Sequence, residues 1–224
     1  MKWVIRSVAL VLVLINLNLA TMISADAAGN ADDMEKIIEQ IERRYDVLGF
    51  TADFHQVSTI KAMDITDEAN GKIYVRKPEM MRWEYEKPDP QIIITNAENL
   101  WIYRPQDNQV ILGKAPAFLA GGKGAGFLAD IKVLRRKFDI SKVSSGDDQY
   151  HALKLVPLDK TADVADILLL VAKDSYAVHQ VVTYNAYGDE TRITLLNARI
   201  DEVPELSLFT FTIPEGTDVV SMDE

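Results

Sequence analysis

Few residues in this sequence have a type and spacing that invite a chemical reading. Glu84 and Glu86 stand two apart and raise general acid–base work by paired carboxylates. In a strand that spacing puts both on one face with Arg82, which is how the wet face of a half-buried sheet is populated. His55, His151 and His179 lie in separate strand-like stretches at no metal-ligand spacing, and there is no cysteine to complete a site. The glycine run Gly121-Gly122-Lys123-Gly124-Ala125-Gly126 lacks the Gly-Lys-Ser/Thr ending that holds phosphate and magnesium. It reads instead as a hinge. No Gly-x-Ser-x-Gly elbow is present. The expectation is a binding protein and not an enzyme, with no cofactor and no metal.

The elements that must position a binding site begin after an export signal. Lys2 and Arg6 precede the apolar run Val8 to Ile15, and Ala25-Asp26-Ala27 gives a small-x-small cleavage pattern. The apolar run is broken by Asn16 and Asn18 and falls short of the roughly 20 residues that span a bilayer. Cleavage after Ala27 is expected, leaving 28–224 as one domain. With no cysteine to carry a lipid, the exported product is expected to be free, soluble and monomeric in the periplasm. The net charge of −10 over 224 residues argues against nucleic acid, whose recognition needs clustered Lys and Arg.

Met34, Ile37, Ile38, Ile41, Tyr45 and Leu48 recur at three-and-four spacing and predict an amphipathic helix that Gly49 ends. From Phe50 the period becomes two. Phe54 lies in the first such stretch, Ile73 and Val75 in the second, and Met81, Trp83 and Tyr85 in the third. Lys87-Pro88-Asp89-Pro90 and Asn96 to Asn99 are turns around Ile92-Ile93-Ile94, and Leu100 to Tyr103 and Gln109 to Leu112 form a hairpin. Ala115 to Leu119 is apolar, and Phe127 to Phe138 predicts a short helix. Strands are expected again over Tyr150–Val156, Ile167–Ala172, Val178–Tyr184, Arg192–Leu196 and Phe209–Ile213. The sum is a mainly β (α+β) fold, a strongly curved antiparallel sheet of about ten or eleven strands without parallel crossovers. A sheet that long curls, and a curled sheet with a helix or two at its mouth commonly encloses a cavity.

The string Gly71-Lys-Ile-Tyr-Val-Arg-Lys-Pro-Glu-Met-Met-Arg-Trp-Glu-Tyr-Glu-Lys-Pro-Asp-Pro-Gln91 resembles the signature of the LolA family, periplasmic carriers of outer-membrane lipoproteins. Phe50 to Gln56, Leu100-Trp-Ile-Tyr-Arg-Pro105 and Phe209 to Val219 resemble other landmarks of that family, in the same order. The resemblance implies an incomplete β-barrel with a helical lid over an apolar cavity. It also implies a cargo of lipoprotein acyl chains, an inner-membrane ABC-type extractor that supplies it and an outer-membrane receptor that takes it. Phe54, Ile73, Val75, Met81, Trp83, Tyr85, Leu100, Ile102, Phe209 and Phe211 are then the expected cavity lining, although each would serve equally as core. Arg76, Lys77 and the glycines 121, 122, 124 and 126 (Gly121, Gly122, Gly124, Gly126) are the expected latch and hinge of the lid. Two positions depart from the family: Lys77 stands where it has the Arg that latches the lid, and Met81 where it favours Phe. Lys offers a point charge and no planar fork. A carrier of other lipids or glycolipids, or a lipid sensor on the same fold, would use the same cavity.

Overall fold

The computed structural model describes residues 33–116, 123–160 and 163–222. The expected export signal, and Gly121 and Gly122 of the expected hinge, lie outside them. The chain divides into two compact units, Met1–Gln40 and Ile41–Glu224. The described part of the smaller unit is helical and buries Ile37 and Ile38. Helix α1 spans residues 33–44, ending earlier than the stripe predicts. Leu48 therefore lies beyond the helix and is 68 % exposed instead of facing the core, and its carbonyl accepts the Lys77 N–H at 2.8 Å.

The larger unit is built on twelve strands: β1 Gly49–Ile60, β2 Ile65–Arg76, β3 Met80–Lys87, β4 Gln91–Asn96, β5 Asn99–Arg104, β6 Gln109–Lys114, β7 Phe138–Val143, β8 Tyr150–Pro157, β9 Asp166–Ala172, β10 Val178–Tyr184, β11 Glu190–Ile200 and β12 Asp218–Ser221. They form one sheet in the order β12-β6-β5-β4-β3-β2-β1-β11-β10-β9-β8-β7. β12 and β7 are its two edges, so the sheet is open. Every pairing is antiparallel except β12 with β6, a parallel pair that the sequence pattern did not predict. Between β6 and β7 a 3-10 segment, Lys123–Ala129, precedes helix α2, Val133–Lys137. Gly124 and Gly126 therefore sit in a regular turn and not in an open loop, and Phe138 opens β7 instead of closing a helix.

Period-two alternation gives the sheet an inward face whose far half is closed. In β8–β11 the register row Leu153–Leu169–Val181–Ile193 is buried in full. Tyr45 supports this half: its hydroxyl oxygen accepts the Val178 N–H at 3.0 Å and its ring meets Phe50 edge-on. Each such aliphatic side chain contributes about 1.5–3 kcal/mol of burial.

The strand expected over Phe209–Ile213 does not form. Leu206–Phe209 is a 3-10 turn within an irregular strap that crosses the outer face. Arg76 donates to the Pro204 carbonyl at 2.7 Å and Arg82 to the Leu208 carbonyl at 3.1 Å, which pins the strap there. Beneath it Ile94, Val110 and Phe209 are buried, and Phe211 lies on Tyr103 at 5.3 Å. The face assigned to solvent is thus partly covered. Glu84 belongs to this packing, with an Arg82 Nε–Oε1 distance of 2.6 Å, while Glu86 pairs with Lys72 at the surface. The two carboxylates have separate structural partners.

Candidate functional site

The inward face of the other half is the candidate site. Strand register places Ala52, Ile73, Trp83, Ile93, Ile102, Ile111 and Val220 in one continuous row across seven strands. Burial falls along it. Ala52, Ile73 and Trp83 are buried, Ile93, Ile102 and Ile111 are half-buried, and Val220 is 40 % exposed at the edge. Three isoleucines in line on a concave face, each only partly covered, make an apolar track that a flexible hydrocarbon can lie along.

At the inner end of the track Phe54, Trp83 and Tyr85 form an aromatic cluster. Phe54 meets Trp83 and Tyr85 edge-on, each at 4.9 Å, and the Trp83 and Tyr85 rings stack at 6.5 Å. Gly71 makes the cluster possible. It pairs with both Phe54 and Tyr85, and a Cβ there would lie 1.8 Å from the Glu84 carbonyl oxygen and 2.9 Å from the Phe54 ring. The Tyr85 hydroxyl donates to Gln56 Oε1 at 3.0 Å, and burial pushes its pKa up to about 12. Trp83 is 2 % exposed, and its indole Nε1–H has no hydrogen-bond partner among the described residues. An unmet buried donor costs about 1–3 kcal/mol.

A second row, Phe50–Val75–Met81–Thr95–Leu100, closes the mouth side of the cluster. All five are buried. Thr95 ties the start of β3, its Oγ1 accepting the Met81 N–H at 3.0 Å and donating to the Glu79 carbonyl at 3.2 Å. The 3-10 segment Lys123–Ala129 packs against β2 and β3. Phe127, Leu128 and Ile131 are buried beside it. A cleft of 240 Å³ lined by Glu79, Pro116, Phe127, Ala129, Val133 and Arg136 runs beside this segment.

Of the expected lining, Phe54, Ile73, Val75, Met81, Trp83, Tyr85, Leu100 and Ile102 come together on the inward face. Phe209 and Phe211 do not: they belong to the strap on the outer face. Ile93 and Ile111 join the track without having been singled out. Each sits inside an apolar triplet, Ile92-Ile93-Ile94 or Val110-Ile111-Leu112, where alternation cannot say which residue faces in. Register to Trp83 decides it. Arg76 holds the strap, whereas Lys77 Nζ reaches Asp46 at 3.3 Å and Asp46 also meets Lys132 Nζ at 3.9 Å. This exposed chain of charges links the β2–β3 turn to the segment before α2, with the small energy of surface pairs.

The three histidines have unrelated surroundings. His55 meets Glu68 at 3.2 Å, and His179 and His151 stack on Tyr150 and Tyr176. Among the described residues no three ligand-type side chains gather as a metal site would need. No helix among them is long and apolar enough to cross a membrane.

Residues 46–212 match the family model described as outer membrane lipoprotein carrier protein LolA. An outer-membrane lipoprotein carrier protein of Chromobacterium violaceum is 30 % identical over 174 residues, covering 77 % of this chain and 81 % of that one. One of the same name from Pseudomonas aeruginosa is 26 % identical over 170 residues, covering 76 % and 80 %. Among solved structures, an uncharacterized conserved protein from Thermus thermophilus superposes with a TM-score of 0.53 at 15 % identity, covering 84 % of this chain and 98 % of its own. That similarity concerns the fold alone.

Proposed function

This chain belongs to the outer membrane lipoprotein carrier family, and from that premise we propose that it is a periplasmic chaperone whose inward face covers lipoprotein acyl chains during transfer from the inner to the outer membrane. In this reading residues 1–27 are a cleaved export signal and 28–224 the carrier domain. An inner-membrane ABC-type complex loads it, and an outer-membrane receptor unloads it. It catalyses no reaction.

The observation that carries the reading is the track Ile93–Ile102–Ile111, apolar, inward and only half-covered. Each methylene moved into water costs about 0.8 kcal/mol, so a chain of about 15 costs roughly 12 kcal/mol. A lipoprotein with several such chains does not cross an aqueous space alone. A carrier must cover that surface yet yield it to a receptor. Half-buried isoleucines beside a packed aromatic cluster supply area without a closed trap. The segment Lys123–Ala129 is the moving cover in this reading, with Lys77, Asp46 and Lys132 its polar fastening in place of an arginine latch.

Purification of the mature protein from a periplasmic extract without detergent, followed by native mass spectrometry, tests the proposal. Bound acylated lipoproteins are expected. Free phospholipid or glycolipid alone would move the function to general lipid transport or sensing on the same face, and a ligand-free protein under all conditions would contradict it.

A further inference from the structure

Trp83 carries a buried indole N–H that nothing in the described protein satisfies. Its neighbours along the register row are Ile73 and Ile93, and its ring contacts are Phe54 and Tyr85. The one polar side-chain atom on those neighbours, the Tyr85 hydroxyl, donates to Gln56 Oε1 and does not accept from the indole. A water molecule is a poor answer, because an ordered buried water needs two to four polar partners and the neighbouring side chains Ile73, Ile93 and Phe54 are apolar. An ester or amide carbonyl is a good one. It accepts from a single donor, has no hydrogen of its own to satisfy, and brings an apolar chain with it.

We propose that the Trp83 indole N–H is the polar anchor of the site, donating to the ester or amide carbonyl at the head of one acyl chain whose hydrocarbon then runs along Ile93, Ile102 and Ile111. This rests on the carrier reading and adds to it a chemical selectivity: carbonyl-linked chains are held in preference to ether-linked or plain alkyl chains. The four strand spacings from β3 to β12, each about 4.8 Å, give the chain a path of roughly 19 Å from the anchor to the sheet edge. The anchor also fixes direction, with the head beside the aromatic cluster and the tail toward β12.

The mature protein, labelled with 15N at its indoles, is titrated with three probes: a dipalmitoyl-glyceryl lipopeptide, its dialkyl-ether analogue and dipalmitoyl phosphatidylglycerol. Trp101 is assigned with Trp101→Phe. The ester lipopeptide is expected to move the Trp83 N–H resonance downfield and to bind about tenfold more tightly than the ether, the worth of one neutral hydrogen bond. In Trp83→Phe, which keeps an aromatic ring, that preference disappears while ether binding persists. A matching shift with the phospholipid assigns the anchor to diacyl lipids generally; its absence assigns it to lipoproteins. Equal ester and ether affinities in the unaltered protein overturn the anchor but leave the carrier reading intact, and this comparison does not depend on any variant folding. Failure of all three probes to bind overturns both.

Discussion

On β8–β11 the inward row Leu153–Leu169–Val181–Ile193 is wholly closed to solvent, whereas on β4–β6 the inward row Ile93–Ile102–Ile111 stays half-covered. The residue types are nearly the same, so composition does not separate the halves. Cover does. The outer face of β4–β6 receives the strap, which buries Ile94, Val110 and Phe209. Those strands therefore have their own small core on the outside while their inside keeps accessible apolar surface. Apolar residues closed over by their own chain stabilise the fold; apolar residues left half-covered on a concave face are available to a guest.

The largest expected effect that sharpens this contrast is on the closed half. Leu169→Ala should destabilise the protein by about 3 kcal/mol, because it removes a fully enclosed side chain from a site with little room to collapse. Denaturant unfolding measures it, and acyl affinity among molecules that remain folded should be unchanged.

The aromatic cluster gives a pH-dependent effect of similar size. The Tyr85 phenol ionises near 10 when unfolded but is held to about 12 when folded. Between those values the unfolded chain sheds a proton that the folded one keeps, so stability falls as pH rises, by about 1.4 kcal/mol per pH unit. Tyr85→Phe should flatten that slope between pH 10 and 12. The contribution of Tyr45 on the closed half, whose pKa burial also raises, should persist. Stability curves at pH 9, 10, 11 and 12 check the difference.

On the open half Ile102→Ala should cost about 1 kcal/mol of stability and weaken acyl-chain binding about tenfold, read by displacement of a fluorescent fatty-acid probe. A large loss of stability with unchanged affinity would erase the distinction between the halves. The smallest effect is reserved for the strap. Arg82→Ala removes the bonds to Glu84 and the Leu208 carbonyl and should cost about 1 kcal/mol. Amide exchange at 206–209 should quicken while acyl affinity stays the same.

Much of the inward face was legible in the sequence because its strands alternate: Ile73, Val75, Met81, Trp83 and Tyr85 share a face by period two alone. The missed elements lack that signal. The outer arm of the β1–β2 hairpin, Thr66-Asp67-Glu68-Ala69-Asn70, stands mostly in solvent and has no apolar side to alternate. β12 is an exposed edge strand of four residues, held by parallel pairing to β6 that no local pattern announces. Phe209 and Phe211 alternate as a strand would, but the chain there has crossed to the other side of the sheet, which the long-range bonds from Arg76 and Arg82 and the contact of Phe211 with Tyr103 reveal. The role of Ile93 and Ile111 depended on register, a tertiary property that a fully apolar triplet conceals.

The most direct test of the account is photo-crosslinking of the carrier loaded in cells with lipoproteins bearing a diazirine on the acyl chain, with adducts mapped by peptide mass spectrometry. Adducts at Ile93, Ile102 or Ile111 and none at Leu153, Leu169 or Val181 are predicted. Adducts concentrated on β8–β10, or confined to the outer strap, would contradict it.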